Sequence, residues 1–114
     1  MKQELKDNLL KAIEAAVNPG GCVYMDDGEP CCVIAQLAYM EGVPKSNLSN
    51  WDAAPGLAGS DIGSLLNASR VSYPKAHALA DKYGADRLIH LQGMWDMSED
   101  PATKIRMREF VEKE

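Results

Sequence analysis

Apolar residues recur at helical spacing from the first residues onward. Leu5, Leu9, Ile13 and Ala16/Val17 share one face, while Lys2, Glu4, Lys6, Asp7, Lys11 and Glu14 occupy the others. This pattern predicts an amphipathic helix over residues 2–17. Asn18, Pro19, Gly20 and Gly21 end it, because proline cannot extend the hydrogen-bond ladder and glycine permits left-handed backbone. Residues 22–25 (Cys-Val-Tyr-Met) are short and β-preferring, and Asp26-Asp27-Gly28 supplies a tight turn after them. Val71, Ser72 and Tyr73 are the expected partner of that strand in a two-stranded ribbon.

Pro30 suits the first turn of a following helix, where its missing N–H costs nothing. Residues 31–41 are apolar nearly all round, which places their helix in the middle of the domain. Gly42 stops it, and Val43 can fold back on the last turn. Residues 46–51 read as a short helix or a turn, and 55–60 as a loop. Ser60-Asp61 caps a helix running through Asn67. Ser72 and Pro74 start another with Ala76, Leu79, Ala80 and Tyr83 inward, which Gly84 interrupts. Asp86 restarts a helix to about Asp96, with Leu88, Leu91 and Trp95 inward. Asp100-Pro101 begins the last, docking Ile105, Met107, Phe110 and Val111. The expected fold is a mainly α, compact bundle of five or six short helices, with room for one small two-stranded β-ribbon. Residues 1–114 form one helical domain.

Composition narrows the function classes. Apolar residues make up 46% and charged residues 25% of the 114, an ordinary globular balance. A chain of this length buries roughly two-thirds of its unfolded surface, so one core suffices. Apolar runs fall far short of the roughly 20 residues a membrane helix needs, and the basic start is mixed with acids and lacks an apolar stretch behind it. Three cysteines, two of them adjacent, do not make a disulfide framework. A cytoplasmic protein with reduced thiols and no membrane partner is expected. The net charge of −5 favours solubility and disfavours broad binding to nucleic acid.

Residues 37–51 carry the most specific spacing. Ala38, Gly42, Leu48 and Trp51 resemble the helix-turn-helix family, which places a small residue in the first helix, glycine in the turn and aliphatic residues inward on the second. The resemblance implies that Lys45, Ser46 and Asn47 would meet phosphates while Ser49 and Asn50 face base edges. Against it, DNA binders gain affinity through Lys and Arg, and here Lys45 stands alone between Glu41 and Asp52. DNA binding is therefore the alternative reading.

Cys31 and Cys32 at a helix start could feel the positive end of the helix dipole and become nucleophilic. A base would have to come from His77 or His90. No local motif ties either to the cysteines, and cysteine beside Val33-Ile34 is more often core. A Cys-dependent enzyme is the weakest of the three readings, and no catalytic residue is assigned. Adjacent cysteines lack the spacing of a zinc pair, Asp26-Asp27-Gly28-Glu29 falls short of a calcium loop, and Pro19-Gly20-Gly21 lacks the rest of a phosphate loop. No metal or cofactor is expected. The methionines read as core filler rather than an adaptable face.

Residues 24–43, with Gly28, Pro30 and Cys32 in a Gly-x-Pro-x-Cys pattern, an apolar helix and a Gly-Val exit, resemble small uncharacterised proteins of actinobacteria and their phages. The resemblance implies a small non-enzymatic accessory protein, phage-encoded, that binds a host protein. Helical domains of this size also often form homodimers, and an apolar stripe on the last helix offers one route.

Overall fold

The computed structural model of the chain describes residues 1–17, 24–52, 61–97 and 102–114. Over these residues the chain is mainly α, with seven helices and one antiparallel ribbon. The helices are α1 (Gln3–Ala15), α2 (Val33–Met40), α3 (Lys45–Asp52), α4 (Ile62–Asn67), α5 (Pro74–Tyr83), α6 (Ala85–Asp96) and α7 (Thr103–Glu112). β1 (Met25–Asp26) pairs with β2 (Glu29–Pro30), Met25 opposite Pro30 and Asp26 opposite Glu29. No helix among the described residues is long and apolar enough to cross a membrane.

α2 is the central element, as its all-round apolar sequence predicts. Val33, Ile34, Ala35, Leu37 and Ala38 are all buried. α1 packs on α2 and also on α7; α6 joins α2, α4, α5 and α7. Burying a leucine such as Leu37 contributes about 1.5–3 kcal/mol. Both tryptophans, Trp51 and Trp95, lie in this core.

Local chemistry sets the ends of α2. Cys32 is extended, and its Sγ accepts the Ala35 N–H at 3.4 Å, so the helix begins at Val33. Gly42 takes φ +91°, and the Val43 N–H reaches back to the Ala38 carbonyl at 3.0 Å while Val43 is buried. That is the fold-back cap expected of Gly-Val. Asp27 and Gly28, at φ 52° and 79°, form the two-residue turn of the ribbon.

The expected mainly α bundle with one small ribbon is what the described residues form: six helices of at least seven residues and the shorter α4, with residues 45–52 a full helix because Leu48 and Trp51 are buried in the core. Several finer expectations are corrected. The ribbon partner of Met25–Asp26 is Glu29–Pro30, not Val71–Tyr73: a two-residue turn pairs neighbours at little entropic cost, and residues 70–72 form a turn instead. Pro30 therefore belongs to β2 rather than to the first turn of α2. Tyr73, not Ser72, is the N-cap of α5, and Ser72 bonds to Ser69. α1 ends at Ala15, and Val17 is half exposed. Ile105, expected to dock, faces solvent. Asp61 does cap α4, accepting the Ser64 N–H at 2.7 Å. Gly84, at φ +93°, separates α5 from α6. The expectations for residues 18–23, the 55–60 loop, Ser60 and Asp100-Pro101 lie outside the described residues.

Candidate functional site

The residues of the helix-turn-helix reading lie on α3. Ser46, Ser49 and Asn50 are exposed, Lys45 and Asn47 partly so, and Leu48 and Trp51 point inward. Lys45 Nζ is 3.0 Å from the Glu29 carboxylate and stands 5.6 Å over the Tyr39 ring. The bond to Glu29 is what raises its pKa. Its charge is thus shared with an acid of the ribbon. Asp52, at the other end of α3, accepts the backbone N–H groups of Tyr24 and Met25 at 2.7 and 2.9 Å.

Both cysteines of the 31–32 pair are buried. Cys31 Sγ donates to the Val17 carbonyl at 3.2 Å, and its own backbone bonds to Val17 and Tyr24, sewing the exit of α1 to the ribbon. Burial pushes the Cys32 thiol up to about 12, the opposite of what a nucleophile needs. His77 Nε2 donates to the Ala68 carbonyl at 3.0 Å, and His90 lies against Phe110 with ring centroids 4.5 Å apart. Neither contact joins a histidine to a cysteine. Among the described residues no three His, Cys, Asp or Glu side chains gather as a metal set.

A cavity of about 240 Å³ beside Glu41, Val43, Leu79 and Lys82 is tied up in structure. Glu41 accepts from Lys82 Nζ at 2.6 Å and from the Tyr83 hydroxyl at 2.9 Å, and Asn8 donates to that hydroxyl at 3.0 Å. Burial works to raise the Glu41 pKa, but the bonds from Lys82 and Tyr83 hold it below the usual range. The network pins α1, the end of α2 and α5 together. It satisfies its own charges.

The outward face of α6 is different. Leu88, Leu91 and Trp95 fill the inward side, yet Ile89, Gly93 and Met97 repeat at four-residue intervals on the opposite one. Ile89 is 44% exposed and Met97 89%. On one flank a groove of about 500 Å³ runs toward α7, with His90, Met94 and Arg106 along it. On the other flank a second groove runs toward α4, edged by Asp61, Gly63, Gln92 and Asp96. A Cβ placed at Gly63 would stand 3.6 Å from the Ile89 side chain, so α4 and α6 approach closely there. At Gly93 a Cβ would meet nothing within 4 Å.

This face also carries an unbalanced acid. Asp96 has no hydrogen-bond or ion-pair partner among the described residues. Burial first, and then the Asp61 carboxylate, push its carboxyl up to about 6. Beneath it Gln92 is buried, donating to the Tyr24 hydroxyl at 3.1 Å and accepting the Ile62 N–H. Gln92 is thereby held rigid while Asp96 stands at the rim.

Periodicity alone gives this face no docking role: Asp61 reads as a helix cap, His90 as a candidate base and Met94 and Met97 as core filler. The signal was present as a second apolar repeat, Ile89-Gly93-Met97, on a helix whose inward stripe was already complete. An exposed apolar repeat stands on α6, on α7 Ile105 is exposed, and Met97 is an exposed methionine rather than core filler. Compared with known proteins, the chain matches no family model, and no curated protein or solved structure matches it significantly.

Proposed function

We propose that this chain is a non-enzymatic accessory factor that binds a host protein, and that the outward face of α6 is its docking surface. The observation that carries this is the exposed Ile89-Gly93-Met97 ridge between two grooves. Contiguous apolar surface rimmed by polar groups marks interaction sites, and exposed methionine adapts to partner shapes. The raised pKa and burial of Cys32 favour a structural thiol over a catalytic one. The resemblance of residues 24–43 to small phage and actinobacterial proteins points to a host protein as the target.

The test is affinity capture from a bacterial lysate at physiological salt, with and without nuclease, using the wild-type chain and Gly93→Arg. One protein retained stoichiometrically after nuclease and lost with Gly93→Arg is the expected result. Retention indifferent to Gly93→Arg would overturn the docking face. Helix-turn-helix DNA binding has in its favour the turn at Gly42 and the inward Leu48 and Trp51. It requires that everything captured be released by nuclease, and that loss follow Ser49 and Asn50 rather than Gly93.

A further inference from the structure

We infer that the outward face of α6 pairs with the same face of a second copy of this chain, about a two-fold axis running alongside the helix, so that the ridge is covered until a partner displaces the copy. The inference rests on α6 being the docking surface proposed above and names what occupies it first.

Three features carry it. Gly93 sits mid-helix, where glycine costs about 1 kcal/mol relative to alanine. No described residue requires it, since a Cβ there would meet none of them within 4 Å. A glycine in that position suits the close approach of another backbone from outside. Beside it Ile89 and Met97 offer apolar surface at the spacing of a helix-packing ridge. The third feature is charge. One flank carries Asp61 and Asp96, and the other carries Arg106.

Rotation by half a turn about an axis parallel to α6 places the two helices side by side in the same direction. Gly93 then meets Gly93, Ile89 meets Ile89, and each acidic flank lies over the other copy's basic flank. An antiparallel pairing would set acid over acid and is disfavoured. The interface is isologous, as in most homodimers. Arg106 is already engaged within the chain, with Thr103 at 3.3 Å among its partners, but a guanidinium has five N–H donors and serves several acceptors at once. Asp96, at the rim and without a described partner, is the acceptor that the second copy would satisfy.

Sedimentation equilibrium of the purified chain from micromolar to millimolar concentration is the test. The expected result is a reversible dimer that Gly93→Arg abolishes, with the helical circular dichroism retained and no loss of melting temperature at low concentration. Should Gly93→Arg lose its helical signal, Met97→Glu at a residue 89% exposed serves the same purpose. Asp96→Arg should weaken the dimer by roughly tenfold or more, and adding Arg106→Asp should bring it back to within a few fold. A double swap that stays monomeric overturns the side-by-side arrangement. Wild-type chain that is monomeric throughout overturns self-pairing, and lysate capture sensitive to Gly93→Arg would then show that the docking face itself survives. Monomeric chain whose capture ignores Gly93→Arg overturns both.

Discussion

Asp52 accepts the backbone N–H of Tyr24 at 2.7 Å across 28 residues of sequence. A second oxygen takes the Met25 N–H at 2.9 Å, so one carboxylate at the end of α3 holds the first strand of the ribbon. Removing it strands two partly buried donors. Asp52→Ala should destabilise the fold by roughly 2–4 kcal/mol, and Asp52→Asn by less, because one oxygen remains to accept. Urea titrations of the two variants check this, and equal losses would show that the second bond contributes little.

Glycine positions give a contrast within one protein. Gly93 has ordinary helical backbone and no described residue within 4 Å of its missing side chain, so Gly93→Ala should stabilise the dilute chain by about 0.5–1 kcal/mol. Gly84 stands at φ +93° with the Arg87 guanidinium 3.0 Å from where a Cβ would lie. Gly84→Ala should therefore destabilise, by more than about 1 kcal/mol. Thermal melts at low concentration read both signs directly.

Asp96 makes stability depend on pH with a definite sign. Its folded carboxyl titrates at about 6 against an ordinary 3.8. Between those values the folded chain binds the proton and the unfolded chain does not, so stability falls as pH rises. The penalty is complete above about 6 and absent below about 3.8. Asp96→Asn should raise the melting temperature of the dilute chain at pH 7.5, and the difference should close as the pH approaches 4. A gain of equal size at both pH values would remove the titration as its cause.

The buried pair Cys31 and Cys32 should resist alkylation. Burial holds the Cys32 thiol near 12, and Cys31 is engaged with the Val17 carbonyl. Iodoacetamide labelling followed by mass spectrometry should find both reacting at least about tenfold more slowly than a model thiol, with normal rates restored in denaturant. Fast labelling of Cys32 in the folded chain would revive the nucleophile.

Periodicity carried most of the helical fold. α1, α2, α5 and α6 follow stripes that can be read without coordinates, and Gly42 and Gly84 end helices because only glycine sits easily at positive φ. The ribbon was harder to place. Residues 22–25 and 71–73 are the more β-preferring stretches, whereas Glu29-Pro30 becomes a strand through turn geometry alone, which outranks propensity. Ile105 reads inward because it is apolar, yet Thr103, Met107 and Val111 already complete the buried side of α7. The α6 face is hidden from the sequence for the converse reason. Ile89 and Met97 look like spare core residues until Leu88, Leu91 and Trp95 are seen to fill the interior without them.

The pairing of α1 with α7 has a consequence for biosynthesis. Arg108 reaches the Glu14 carboxylate at 2.8 Å, and Lys104 donates to the Glu14 carbonyl from 90 residues away. Leaving the ribosome, α1 meets α2 early and touches α5 through the Asn8–Tyr83 bond, but the flank that faces α7 is covered only when α7 follows. Until then one flank of the first helix is bare and open to capture by other nascent chains. Completion of the fold is thus tied to the synthesis of α7, and a chain truncated before residue 103 would be an aggregation-prone product rather than a smaller working domain.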